Sequence, residues 1–133
     1  MRIPALVLVA LFLSAGPANA DAACPLPEDG VWVNPYAKRK EITRIEIEST
    51  CQDGTVRARV RAFTSCSPRD CKWGWTDADL RERGGLRVDL VGFLGTKAMT
   101  LTRFGNLLDA HVIDKPHDPD IAAQETTYNL IKK

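Results

Sequence analysis

The sequence predicts an all-β domain of eight antiparallel strands, packed as a sandwich or closed as a barrel. Three observations lead there. Beyond Asp29, apolar and polar residues alternate with a period of two, and turn residues interrupt the alternation about every 10 to 15 residues. No segment sustains apolar residues at helical spacing. Short, regularly spaced strands with turn signals between them are the mark of such folds.

The first strand is expected near 31–34, opening on Gly30-Val31-Trp32-Val33-Asn34. The second (41–50) and third (55–64) meet at Asp53-Gly54, a dipeptide suited to a two-residue type I′ turn. That turn pairs Gln52 with Thr55, so Glu48 faces Arg59 and Glu46 faces Arg61, while Ile47 faces Val60 and Ile45 faces Ala62. Opposite charges then share one face and apolar side chains the other, and a slip of one residue would spoil both. The Arg57-Arg59-Arg61 stripe therefore reads as a solvated, ion-paired face rather than a nucleic-acid site. The fourth strand (72–79) carries Trp73-Gly74-Trp75, with one tryptophan expected inward and the other outward across the glycine. A fifth is expected over 86–93. The sixth (97–103) and seventh (107–114) are joined by Phe104-Gly105-Asn106-Leu107, which pairs Met99 with Val112, Leu101 with Ala110 and Arg103 with Leu108, leaving Thr100-His111 and Thr102-Asp109 outside. Arg103 breaks the apolar face and must snorkel to the rim or lie against an aromatic ring. Residues 118–124 are expected to form a single helical turn from Pro119, before an eighth strand over 125–132.

The N-terminus predicts the compartment. Met1-Arg2, an apolar run from Ile3 to Leu13, and Ala18-Asn19-Ala20 have the order of an export signal cleaved after Ala20. The apolar run of about 11 residues is too short to span a bilayer, and no later segment approaches transmembrane length. The expected protein is thus a 1–20 signal peptide followed by one 21–133 domain in the periplasm or the medium. Beyond Ala20, 17 basic residues balance 17 acidic ones. That balance argues against a nucleic-acid binder and against a polybasic membrane-surface protein.

Export also changes what the four cysteines mean, since an even number in a small exported domain forms disulfides. Cys66 and Cys71 enclose four residues and suit a turn closed by its own bridge. A turn through Ala37-Lys38 pairs Pro35 with Lys40, and extending that register sets Cys24 opposite Cys51. The expected bridges are Cys24–Cys51 and Cys66–Cys71. Zinc is not expected, because Cys24 and Cys51 lack a close-spaced partner for a second ligand pair.

Gly30-x-Trp32 resembles the G-x-W signature of calycins, the superfamily of lipocalins, fatty-acid-binding proteins and avidins. The resemblance implies an antiparallel, eight-stranded, up-and-down barrel, with Gly30 and Trp32 in structural roles. It also implies an Arg or Lys packed across the tryptophan. Arg103, Lys132 and Lys133 are candidates, and the last-strand position favours the lysines. Avidin-like proteins use the asparagine at the position of Asn34 for biotin. Here Pro35 follows it and the other biotin-contacting residues have no match, so biotin does not carry over. Gly30 to Asn34, Arg44-Ile45-Glu46-Ile47 and the run from Ala62 through Cys66, Pro68, Asp70, Cys71, Trp73 and Gly74 are similar to uncharacterised exported bacterial proteins. That likeness covers roughly residues 30–114 and implies a shared fold without an activity.

Catalytic chemistry leaves little trace. The sequence has no serine elbow, phosphate-binding glycine loop or H-E-x-x-H. His111 and His117 are its only histidines, and the acidic, proline-containing run 114–120 reads as a solvated loop rather than a metal site. Asp77 and Asp79 read as exposed alternation. The expectation is a disulfide-stapled, non-enzymatic binding protein without cofactor or metal, taking a small ligand. Asn34, Trp73, Trp75 and Arg103 are the candidate contacts. Ala58, Ala62 and Ala110 would either leave room for that ligand or mark a narrow barrel filled by Trp32 and Met99. The alternative is a protein-binding module, such as a periplasmic protease inhibitor, using the Cys66–Cys71 loop or the segment before Gly30.

Overall fold

The structure is a computed structural model and describes residues 24–133; the expected leader lies outside the described residues. Eight antiparallel strands close into an up-and-down barrel in chain order. They are β1 (Gly30–Val33), β2 (Ile42–Gln52), β3 (Thr55–Thr64), β4 (Cys71–Leu80), β5 (Leu86–Val91), β6 (Gly95–Phe104), β7 (Leu107–Pro116) and β8 (Gln124–Lys132). β1 pairs with β8 to close the wall. Barrel, strand number and both disulfides agree with the sequence reading, the paired Cα atoms lying 6.3 Å apart in Cys24–Cys51 and 5.5 Å in Cys66–Cys71.

The β2–β3 and β6–β7 registers follow the side-chain alternation. Glu48 faces Arg59 and Glu46 faces Arg61, and Met99 faces Val112 as Leu101 faces Ala110. Asp53 and Gly54 both take positive φ (49° and 74°), as a type I′ turn requires. The β1–β2 register differs from expectation by two residues: Trp32 faces Ile45, where a turn at Ala37-Lys38 would set it opposite Thr43. The connection is longer because it has its own internal bonds. The Asn34 side chain donates to Ile42 O (3.1 Å), its Oδ1 accepts from Tyr36 N (3.2 Å), and Glu41 accepts from Lys38 N (2.8 Å). A shift of two preserves which face each residue occupies. The expected helical turn from Pro119 is instead a β-turn, closed by Ile121 N donating to Asp118 O (3.2 Å).

One end of the barrel is solid. Trp32, Ile45, Ile47, Val60, Leu86, Met99, Leu101, Leu108 and Leu130 are essentially inaccessible, and Ala58, Ala62 and Ala110 sit in the same cluster. The alanines thus belong to a filled core, and room for a ligand lies elsewhere. Leu26 caps this end, with its N–H donating to Ser49 Oγ (3.0 Å), while Asp29 accepts from Ser49 N (2.7 Å) and Oγ (2.6 Å). Trp32 donates through Nε1 to Glu28 O (2.9 Å) and lies under Lys132, whose Nζ is 5.7 Å from the ring centre. Arg103 does not cross this ring; it turns to the rim, where Nε donates to Gly105 O (2.7 Å).

Candidate functional site

The connections β1–β2, β3–β4, β5–β6 and β7–β8 all lie at the opposite end, which the alternation of an up-and-down barrel dictates. There the core gives way to an open cavity of about 800 Å³, lined by parts of the β1–β2, β5–β6 and β7–β8 connections and by the ends of β4, β6, β7 and β8. Its floor is polar. Lys97, in line with the inward Met99 and Leu101, is only 7% exposed and pairs with Asp114, its neighbour across the β6–β7 ladder. Gln124 adjoins Asp114 on the next strand, and Thr126 and Tyr128 follow it along β8. Burial, with the Glu41 and Asp114 carboxylates behind it, pushes the Tyr128 phenol above its ordinary pKa, so it remains a neutral hydroxyl donor.

Trp73 forms one wall of this floor. Its Nε1 donates to Thr64 Oγ1 (3.3 Å), and Lys97 Nζ lies 4.8 Å from the ring centre. Trp73 and Trp75 do face opposite ways, but strict alternation would put residues two apart on the same face. A β-bulge resolves this: Val60 faces Thr76 and Ala62 faces Trp73, so Arg61 opposes both Gly74 and Trp75. Trp73 turns inward. Trp75 turns out onto the wall, where the guanidinium carbons of Arg59 and Arg61 lie 4.4 and 4.7 Å from its ring centre. Beyond the bulge, β4 and β5 share only the pairs Asp79–Arg87 and Leu80–Leu86. Towards the open end the Trp73 ring lies against Gly92, where a Cβ would fall 2.5 Å from Cζ3, so a larger residue there would have to displace the ring.

One part of the rim above is apolar and held by the backbone, and charged residues of the β1–β2 and β7–β8 ends make up the rest. Gly92 N donates to Gly95 O (2.8 Å), closing a tight turn with Phe93 and Leu94 at its tip, 95% and 78% exposed. His117 fastens this turn to the end of β7: its N–H donates to Leu94 O (2.9 Å) and its Nδ1 to Phe93 O (3.2 Å). Ile121 and Tyr36 stand exposed on the neighbouring connections.

Of the contacts expected from the sequence, Trp73 alone lines the cavity. Asn34 braces the β1–β2 connection, Trp75 is on the outer wall, and Arg103 is at the filled end. The sequence reading missed Lys97, Asp114, Tyr128 and Phe93. Asp114 to Pro116 were expected to open a solvated loop but instead complete β7, turning Asp114 to the interior. The Lys97–Asp114 pair was within reach, since the Met99–Val112 register carries both onto the inward face. Among the described residues, no three His, Cys, Asp or Glu side chains gather as a metal site, and no helix is long and apolar enough to cross a membrane. No protein-family model, curated protein or solved structure matches this chain.

Proposed function

We propose that this is an exported, non-enzymatic binding protein that holds a small ligand in the open-end cavity. The observation that carries the reading is a roughly 800 Å³ hollow above a filled core, with converging polar groups on its floor. Cavities of this size, with a few placed polar groups and apolar walls, are how barrels hold small molecules. Export is supported by the leader-like N-terminus and by two disulfides, which persist in oxidising compartments. Kinship with calycins is supported by the G-x-W pair at the filled end, with a last-strand lysine across the tryptophan. A protein-binding role draws on a different feature, the exposed Cys66–Cys71 loop. Native mass spectrometry of protein purified from its own host tests the choice. A co-purifying small molecule, displaced in a Lys97→Glu variant, is expected. A stoichiometric protein partner with nothing in the cavity would refute it.

A further inference from the structure

We infer that the open end docks on an anionic lipid surface, with the Phe93–Leu94 tip among acyl chains and a phosphate-bearing headgroup seated head-first on the cavity floor. The headgroup seat rests on the cavity being a binding site, as proposed above; the docking of the rim does not.

Polarity along the barrel axis carries the inference. Along β6 and β7 the inward residues change from Met99 and Val112 to Lys97 and Asp114, with Gln124 beside Asp114. Thr126 and Tyr128, opposite Val112 and Ala110, complete the polar lining, and Phe93, Leu94 and Ile121 stand exposed at the mouth beyond it. An amphiphile bound tail-down would press hydrocarbon onto the Lys97–Asp114 ion pair and strip its water without replacing it. Bound head-down, it places polar groups against Lys97 and Tyr128, but its tail then emerges beside Phe93, Leu94 and Ile121. In water, tail and rim would both stay exposed. At a lipid surface, both are covered by the same bilayer.

The tip is built for such a role. Phe93 and Leu94 are held out by the Gly92–Gly95 turn and its bonds to His117, so their exposure reflects defined backbone geometry. Projecting tips around a hollow suit a fluid surface that can conform to them better than the flat, closely packed face of a protein partner. Charge is arranged accordingly. Arg39, Lys40 and Lys115 line the cavity mouth, and none has an ion-pair partner among the described residues. The acids beside them are turned back to their own connections, Glu41 accepting from Lys38 N and Asp118 from Asp120 N. A chain whose charges balance beyond Ala20 thus presents local cations at one end, where juxtamembrane basic residues meet anionic headgroups.

The test uses the full mature chain with phosphatidylcholine vesicles and with vesicles also containing phosphatidylglycerol. Co-sedimentation is expected on the second and not the first. It should weaken roughly tenfold or more in Phe93→Ser/Leu94→Ser, a pair whose exposure leaves the fold untouched, and fall in Lys40→Glu/Lys115→Glu. A Phe93→Trp variant should gain, on binding vesicles, emission that lipids brominated in the acyl chains quench, whereas the emission of the wild type, from the buried Trp32 and from Trp73 and Trp75, should not be quenched. Partition that survives Phe93→Ser/Leu94→Ser overturns the inference. So does absence of partition on both vesicles. If a small ligand is nonetheless retained in the cavity, the binding reading stands without the docking. If a protein is instead captured through Phe93 and Leu94, the rim is a protein interface.

Discussion

Removing the two members of the Lys97–Asp114 pair should have unequal consequences, and the inequality follows from their surroundings. The Lys97 side chain is 9% exposed and that of Asp114 is 34% exposed. In Asp114→Ala the ammonium stays beneath the cavity floor with the Trp73 ring as its remaining partner, 4.8 Å away. Orphaning a fully buried charge costs about 3–5 kcal/mol; the open cavity and the cation–π contact reduce this to about 2–3 kcal/mol. In Lys97→Met the apolar stem keeps its packing and the carboxylate turns to cavity water, a loss of about 1 kcal/mol or less. The double variant Lys97→Met/Asp114→Ala should then resemble Lys97→Met alone, because the lysine that makes Asp114 necessary is gone. For a domain of this size the single losses correspond to about 8–12 °C and under about 4 °C in Tm. Thermal unfolding followed by circular dichroism, with the disulfides kept oxidised, measures all three. Equal losses, or additivity of the two single changes in the double variant, would refute the view that Lys97 is held as a buried charge by its acid.

Three further outcomes are expected. Gly92→Ala drives a methyl against Trp73 and should cost about 1–3 kcal/mol, with altered tryptophan emission; unchanged stability and emission would mean that the ring does not rest there. Cys24→Ser/Cys51→Ser opens a loop with a sequence separation of 27, worth about 3–4 kcal/mol in the chain-entropy estimate, and guanidinium unfolding should show a loss near that size rather than none. The Arg61 hydrogen bond, with Arg44 beside it, holds the Glu46 carboxyl below its ordinary value of 4.5. Its stabilisation is therefore complete above that pH and is lost as pH falls through the lower, folded-state value. The stability gap between wild type and Glu46→Gln should be widest near neutrality and should close in acid; a gap independent of pH would contradict this origin.

The fold was legible wherever local chemistry fixed the register. Asp53-Gly54 specifies one turn, and the Glu46–Arg61 and Glu48–Arg59 pairs tolerate no slip, so β2 and β3 could be aligned residue by residue. The first hairpin lacked both constraints. Its connection draws its length from side-chain bonds at Asn34 and Glu41 that no turn dipeptide announces. The Cys24–Cys51 bridge nevertheless agreed with expectation, because the ladder ends at Gly30 and the Leu26–Ser49 bond brings the N-terminal segment across β2. The register error was even, so every inward residue of β1 kept its face.

The site was harder to see because it depends on interruptions of regularity. The bulge that separates Trp73 from Trp75 is one extra residue in β4, and the period-two pattern carries no mark of where it falls. The cavity floor did leave a mark. Once Met99 and Val112 are accepted as inward neighbours, two more residues along each strand place Lys97 and Asp114 inward at the same rung. A charged pair cannot be seated in a close-packed apolar core at low cost. The strands also run on past it to Gly95 and Pro116, so fraying at strand ends does not explain it. An ion pair on the inward face, with barrel wall continuing beyond it, therefore locates the level at which the filled core stops and an accessible cavity begins.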